Sequence, residues 1–228
     1  MSGVALVTGA SRGLGRAVAL ALTRRGFSLA LLGRASPAHA ETASLVRQQG
    51  ARALELFAEF SDAVTLTHAA ERVVAELGAP DVVVHNAGLV VRKNVEQTSV
   101  EEWDQQLDTN LRAPFVLTRT LLPALRAAGR GRLLFVGSIS GTLGSPGVAA
   151  YAASKWGLTG FVKSLAEELK DSGLMACTVL PGSIDTDMLL GSPFPARMRA
   201  EEVAKTIEFL AIDAPLAHNG AVVEMFGV

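Results

Sequence analysis

The chain has 228 residues, of which 49% are hydrophobic and 19% charged, with a formal net charge of −1 and a pI near 6.4. This composition indicates one large core, and the absence of a basic block interleaved with aromatic residues argues against nucleic acid or an anionic membrane as partner. No apolar run reaches the roughly 18 residues of a membrane span and no cleavage-type signal opens the chain, so we expect a cytoplasmic, single-domain protein, residues 1–228.

Cysteine and histidine usage gives no sign of a disulfide or a metal site. Cys177 is the only cysteine and lies in the apolar run LMACTVL, which favours a buried structural thiol. The four histidines are scattered along the chain without the spacing of metal ligands. We therefore expect no bound metal.

The first motif is a strand, a glycine-rich turn and a helix. The run GVALVT predicts the strand, and GLGRAVALALTRRG, which ends at Gly26, predicts the helix. Residues 8–15 between them have glycines where a phosphate would approach the backbone, and free N–H groups at a helix start attract an anion. We predict a pyrophosphate-binding turn, although GxxxGxG differs from the more familiar GxGxxG. The alternative is a glycine-rich turn with no ligand, as in any parallel α/β protein.

The second predicted strand, FSLALLG, is followed by Arg34 and not by the acid that binds the adenosine ribose in NAD-preferring folds. Arg34 and Arg12 could instead pair with a 2′-phosphate, because guanidinium groups suit phosphate oxygens. This favours NADP(H), with NAD(H) still possible. The alternative is that both arginines are solvated loop charges.

The middle of the chain continues the alternation of helix and strand. A helix over 36–49 precedes the predicted strand ARALELFAEF, after which either Glu59 or Asp62 meets the adenine edge or caps the next helix. That helix, TLTHAAERVVAEL, closes at Gly78, and the next apolar strand ends in HNAG at 85–88. Small residues after a strand let a nucleotide lie flat over the sheet.

From Val100 to about Ala127 the pattern is helical, with a kink expected at Pro114 and with Asn110 mid-helix. Asn110 is either a satisfied polar residue or a residue beside free carbonyl groups at the kink. A strand over 132–138, a helix over 149–170, the strand MACTVL, a helix over roughly 200–212 and the strand AVVEMF follow. Repeated strand and helix predict an α/β fold with a parallel sheet covered on both faces.

The candidate chemistry lies in residues 138–155. Tyr151 and Lys155 are four residues apart in a predicted helix, so their side chains leave the same face. An ammonium beside a phenol favours the phenolate, so we expect a pKa of Tyr151 below its usual value of about 10, which suits a general acid or base. Ser138 closes the strand RLLFVGS, and its hydroxyl could face the same point. The alternative is an ordinary helix after an ordinary strand.

Taken together, these motifs resemble the short-chain dehydrogenase/reductase family, in order and along nearly the full length. The matching segments are TGASRGLG at 8–15, NAG at 86–88, Asn110, Ser138, Tyr151 with Lys155, and PGSIDT at 181–186. The resemblance implies a doubly wound Rossmann-type fold with a seven-stranded parallel sheet, a nicotinamide cofactor and a catalytic tetrad.

In that family the tyrosine matching Tyr151 moves the substrate proton and the serine matching Ser138 polarises the carbonyl oxygen. Lys155 would bind the nicotinamide ribose and depress the tyrosine pKa, and Asn110 would hold a water in the proton relay. The resemblance also places Asn86 on the adenosine side, and Ile184 and Thr186 against the carboxamide. The full set of expected cofactor-binding residues is Gly9, Ser11, Arg12, Gly13, Leu14, Gly15, Arg34, Glu59, Asn86, Ala87, Gly88, Tyr151, Lys155, Pro181, Gly182, Ile184 and Thr186.

Three features depart from the family pattern. His85 stands where many members have a second asparagine, and the acid near position 60 matches Glu59 in one register and Asp62 in another. Between Thr186 and Glu201 the chain is shorter than in many relatives, and the end of the chain lacks the usual glycine pair, which predicts a small or open substrate lid.

We therefore expect reversible hydride transfer between NADP(H) and a small carbonyl or secondary alcohol substrate, with Tyr151 as general acid or base. The alternatives are a catalytically silent NADP(H) sensor and an interaction scaffold that binds no cofactor. The resemblance implies a homodimer or homotetramer, and the predicted helices 101–126 and 149–170, apolar on more than one side, are consistent with this. Trp156 and Phe161 lie either at that interface or in the core, and we favour the core.

Overall fold

A computed structural model describes residues 3–227. The strands are β1 Val4–Thr8, β2 Ser28–Gly33, β3 Ala53–Phe57, β4 Val82–His85, β5 Gly131–Val136, β6 Leu174–Pro181 and β7 Val222–Met225. The helices are α1 Gly13–Arg24, α2 Pro37–Gln48, α3 Ala63–Leu77, α4 Val100–Leu107, α5 Ala113–Ala128, α6 Ala149–Glu168 and α7 Ala200–Ile212. None of the helices within residues 3–227 has the length and apolar character needed to span a bilayer.

All seven strands form one parallel sheet in the order β3-β2-β1-β4-β5-β6-β7. The strand order runs outward from β1 in one direction and then, from β4, in the other, so a crevice opens between the carboxyl ends of β1 and β4. Ligands of doubly wound sheets bind at this switch point. The predicted Rossmann-type fold with a seven-stranded parallel sheet is confirmed.

The strands are apolar throughout because both faces of the sheet are covered. In β1, Ala5 and Val7 pack on the side of α1, α2 and α7, whereas Leu6 packs on the side of α3, α5 and α6. Cys177 of β6 is fully buried in the first of these layers, and burial raises the pKa of its thiol to about 12. The prediction of a buried structural thiol is confirmed.

The long helical segment after β4 differs from the prediction of a kink at Pro114. The irregularity is a π-helical segment, Asp108–Arg112, which separates α4 from α5. Pro114 lies in the first turn of α5, where its missing N–H coincides with the change from π-helical to α-helical hydrogen bonding. Asn110 therefore lies in a widened turn and not in a regular helix.

Candidate functional site

A cleft of about 1850 Å³ lies over the carboxyl ends of the central strands. It is lined by every residue that the sequence predicted as catalytic or cofactor-binding except Asn110, which is buried. Within residues 3–227 no group of three or more His, Cys, Asp or Glu side chains is arranged to hold a metal ion.

The glycine-rich turn has a backbone shape that side chains would prevent. Gly9 and Gly13 have φ values of 66° and 51°, in the region that favours glycine. A Cβ on Gly15 would lie 2.1 Å from the Gly9 carbonyl oxygen, so only glycine lets α1 approach β1 this closely. The N-cap residue, Arg12, provides no side-chain cap for α1, so the uncapped first turn faces the cleft. A pyrophosphate fits this position, because such N–H groups attract anions.

Hydrogen bonds join the loop after β4, at Asn86 and Ala87, to the end of β1 and the glycine turn, at Thr8 and Gly9. Asn86 Nδ2 donates to the carbonyl oxygens of Thr8, at 3.0 Å, and Gly9, at 3.3 Å. Thr8 Oγ1 accepts from the backbone N–H groups of Asn86 and Ala87, both at 2.9 Å. The Asn86 amide thus holds two loops together where the resemblance places the adenosine.

The two candidate acids near position 60 have different positions. Asp62 is the N-cap of α3, and its carboxylate accepts from the N–H groups of Val64, at 2.8 Å, and Thr65, at 3.4 Å. Glu59 lines the cleft and Asp62 does not. Asp62 is therefore engaged as a helix cap, and Glu59 is the one of the two that lines the cleft.

The end of β2 presents cationic and not acidic groups to the cleft. Arg34 is exposed and lines the cleft directly after β2. Arg12 lines it from the glycine turn, where its guanidinium forms an exposed ion pair with Asp187 at 2.9 Å. Two guanidinium groups and no ribose-binding acid favour NADP(H) over NAD(H).

Tyr151, Lys155 and Ser138 meet at the floor of the cleft. Successive turns of α6 place Lys155 Nζ 5.6 Å from the centre of the Tyr151 ring, and Nζ donates to the Val136 carbonyl oxygen at 2.8 Å. Ser138 lies two residues beyond β5, where its Oγ accepts from the Ser140 N–H at 3.1 Å. Tyr151 and Lys155 are both buried, so the phenol and the ammonium share a poorly solvated corner.

The pKa of Tyr151 differs from the sequence expectation. Burial raises the pKa of Tyr151, and a hydrogen bond from Ser138 and the positive charge of Arg92 oppose this rise. The Lys155 ammonium donates its hydrogen bond to the Val136 carbonyl oxygen, not to the phenol. Burial lowers the pKa of Lys155 to about 8. At neutral pH the protein therefore holds a protonated phenol beside a mostly protonated lysine.

Asn110 stands directly behind this corner. Its Oδ1 accepts from the Leu89 N–H at 2.9 Å, and its Nδ2 donates to the Leu89 carbonyl, at 2.9 Å, and to Ser154 Oγ, at 3.0 Å. A Cβ on Gly88 would lie 3.1 Å from Asn110 Oδ1 and 3.6 Å from Lys155 Nζ. Gly88 therefore lines the cleft in front of Asn110 and has no side chain that would collide with it.

The loop after β6 closes the cleft from the opposite side. Ile184 forms an isolated parallel bridge with Met198, and Gly182 N–H donates to the Met225 carbonyl at 2.8 Å. Thr186 reaches across to the glycine turn, since its Cγ2 lies 3.0 Å from the Cβ position of Gly13. Pro181, Gly182, Ile184 and Thr186 line the cleft.

Comparison with known proteins decides the family. The family model described as short chain dehydrogenase matches residues 3–192. The chain belongs to this family. As a short-chain dehydrogenase it is an NAD(P)-dependent oxidoreductase that acts on carbonyl or alcohol groups.

Its curated relatives include several reductases. The 3-oxoacyl-[acyl-carrier-protein] reductase FabG of Escherichia coli (strain K12) is 35% identical over 236 aligned residues, covering 98% of this short-chain dehydrogenase and 96% of the relative. FabG of Pseudomonas aeruginosa gives the same identity and coverage. FabG of Staphylococcus aureus (strain N315) is 32% identical over 240 residues, covering 100% and 98%.

Some residues of the site were not predicted from the sequence. Thr8 and Ser154 carry hydrogen bonds that hold Asn86 and Asn110, and the fully buried Gln106 accepts from the Val91 N–H at 3.0 Å. Arg92 lines the cleft and acts on the Tyr151 phenol. Only Thr8 lies in a recognisable motif, the glycine-rich turn of residues 8–15. The hydrogen-bond partners of all four residues are distant in the sequence.

Proposed function

We propose that this short-chain dehydrogenase reduces the 3-oxo group of an acyl thioester carried by acyl carrier protein, with NADP(H) as cofactor. The observation that carries the proposal is the buried meeting point of Tyr151, Ser138 and Lys155 on the floor of the cleft. The names of the FabG relatives supply the substrate class. Apolar residues that line the same end of the cleft suit an acyl chain: Leu143, Val148, Leu189 and Leu190.

When bound, the nicotinamide supplies the hydride that adds to the carbonyl carbon and leaves in its oxidised form. Tyr151 gives its phenolic proton to the carbonyl oxygen, which the Ser138 hydroxyl polarises by hydrogen bonding. A pKa raised by burial keeps this phenol protonated at neutral pH, as reduction requires. Lys155, with its pKa of about 8, holds the cofactor ribose and supports the return of a proton to Tyr151.

Asn110 has a positioning role in this proposal. Its side chain is fully engaged by Leu89 and Ser154, so it fixes the back of the site. We propose that the π-helical turn around Asn110, a feature frequent at functional sites, holds the water of the proton relay.

The cofactor-binding roles of the remaining residues follow from their positions. Residues 9–15 bind the pyrophosphate, Arg34 and Arg12 the 2′-phosphate, and Glu59 the adenine. Ile184 and Thr186 meet the carboxamide end. The contact that Asn86 makes with the adenosine side comes from the resemblance, and Ala87 and Gly88 leave the space for it.

The test is a substrate panel assayed with NADPH and NADH, using the wild-type protein and Tyr151→Phe. We expect reduction of 3-oxoacyl thioesters with NADPH, and a loss of about 10²- to 10⁴-fold in turnover for Tyr151→Phe while NADPH still binds. Unchanged turnover in this variant would contradict the role of Tyr151. NADPH binding without turnover on any panel member would favour the sensor hypothesis.

The assembly and location remain predictions. We propose a homodimer or homotetramer, supported by exposed aromatic side chains on α4, α5 and α6: Trp103, Phe115 and Trp156. The cytoplasmic location expected from the sequence stays a prediction.

A further inference from the structure

Arg92 is the residue of the cleft that the functions above leave unexplained. It lies in the loop after β4, is half-buried, and lines the cleft. Arg92 and Tyr151 line the same cleft, and the positive charge of Arg92 opposes the rise that burial causes in the pKa of Tyr151. Arg92 thus contributes a cation to the cleft that holds the candidate proton donor.

The charge of Arg92 has no carboxylate partner among residues 3–227. Its single hydrogen bond there runs from Nη2 to the Met188 carbonyl oxygen at 3.1 Å. The neighbouring Lys93, by contrast, forms an ion pair with Glu102. A guanidinium has five N–H donors, so most of those on Arg92 stay available for a ligand.

The surroundings of Arg92 define what this ligand must offer. The same cleft is lined by four apolar side chains: Leu143, Val148, Leu189 and Leu190. A half-buried cation among apolar groups pairs with an acceptor oxygen, and a ketone alone offers only the oxygen that Tyr151 and Ser138 already serve. A 3-oxoacyl thioester has a second carbonyl oxygen, two carbon atoms along the chain.

We propose that Arg92 is a specificity-determining residue that donates hydrogen bonds to the thioester carbonyl oxygen of a 3-oxoacyl substrate. This inference rests on the proposed function and deepens it. Arg92 holds the second oxygen while Tyr151 and Ser138 hold the first, so the substrate is fixed at two points. The site then prefers 1,3-dicarbonyl acyl substrates to simple ketones.

The test compares two substrates across variants of Arg92, with NADPH in excess. The probes are the acetoacetyl thioester of N-acetylcysteamine and a 2-alkanone of matched length. In Arg92→Met we expect kcat/KM for the thioester to fall about 10- to 100-fold, as for the loss of a charged hydrogen bond, and kcat/KM for the ketone to change less than threefold. Arg92→Lys keeps the charge and should recover part of the thioester activity.

Lys93→Met is the matched control, because it removes an adjacent cation whose charge is already paired with Glu102. We expect it to leave both substrates unchanged. An equal loss on thioester and ketone in Arg92→Met would mean that Arg92 only orders the loop at Met188, which overturns the inference.

The inference and the proposed function fail in different ways. If the wild-type protein reduces the thioester but Arg92→Met shows no selective loss, the role of Arg92 is wrong and the proposed function stands. If the wild-type protein reduces neither probe with NADPH, both are wrong.

Discussion

Arg34 and Arg12 face the same cleft, but their surroundings differ. Arg12 is paired with Asp187, whereas within residues 3–227 Arg34 has no ion-pair partner. The Arg12–Asp187 pair is exposed, so breaking it costs about 0–1 kcal/mol. Arg34 could therefore bind a 2′-phosphate directly, whereas Arg12 would first have to break its ion pair with Asp187.

We predict unequal effects of removing the two arginines. Arg34→Ala should raise the KM for NADPH about 10- to 100-fold, the loss expected for a charge-assisted hydrogen bond, and should leave the KM for NADH nearly unchanged. Arg12→Ala should have a smaller effect on NADPH. Steady-state kinetics with both cofactors measures this, and Arg24→Ala, an exposed residue outside the cleft, is the control. Equal effects on NADPH and NADH would contradict 2′-phosphate recognition.

At the scale of single residues, the motifs could be predicted from the sequence, but the hydrogen-bond partners of their residues could not. Tyr151 and Lys155 are readable because helical spacing fixes their mutual position. The pKa direction of Tyr151 was predicted incorrectly, because burial and the choice of Val136 as partner for Lys155 depend on the packed structure. Ser154 gives no local signal, since its partner Asn110 is 44 residues away.

His85, the last residue of β4, shows how a departure from the family pattern is absorbed within the fold. It is buried against Phe135, with ring centres 4.5 Å apart, and its Nε2 lies 3.1 Å from Thr118 Oγ1 on α5. Its Nδ1 has no hydrogen-bond partner in residues 3–227. Burial lowers the pKa of His85 to about 3. His85 thus joins β4 to α5, away from the cleft.

This burial predicts a pH-dependent stability. The unfolded chain binds a proton at His85 below about pH 6.5, whereas the folded chain does so only near pH 3, so the free energy of unfolding falls as the pH drops from 6.5 toward 3. At pH 5 the loss from this residue is about 2 kcal/mol. Urea unfolding of wild type and His85→Asn at pH 7 and pH 5 measures it. An equally large drop in His85→Asn would assign the effect to other groups, such as the buried His39.

Most helices and strands could be predicted from the sequence, and the exception, the π-helical segment Asp108–Arg112, has a physical cause. Apolar periodicity and terminal glycines placed the strands and helices within a few residues. Asp108–Arg112 could not be distinguished from a regular helix, because a π-helical turn keeps the same amphipathic composition and differs by one hydrogen-bond step. The predicted kink at Pro114 was wrong because the irregularity lies just before it, at Asp108–Arg112.

At the scale of the whole molecule, the alternation of strands and helices was enough to predict the parallel sheet and its coverage on both faces. The two apolar core layers pack on opposite faces of the same sheet, which supports the proposal of one domain. For Trp156 the sequence favoured a place in the core over one at a subunit interface, and this prediction was wrong. The structure places it at the surface, 53% exposed.

Trp103 and Trp156 are the only two tryptophans, and they lie on α4 and α6, which pack against each other. We predict that this face is buried between subunits, since exposed aromatic clusters mark interfaces. Light scattering should show a dimer or tetramer, and Trp156→Glu should at least halve the mass. Dilution of the wild-type protein should shift tryptophan emission to longer wavelength. Val64→Glu, at another exposed apolar position, is the control, and an unchanged mass in Trp156→Glu would contradict this interface.

In the π-helical segment, the position of Asn110 depends on the number of residues in the segment more than on which residues they are. Deleting Thr109 would let the segment relax into a continuous α-helix, an apparently harmless repair. The shortening would turn Asn110 by about 100° around the helix axis, away from Leu89 and Ser154. A variant with a better helix would therefore have a worse active site, and engineering by consensus helix design should leave these five positions uncut.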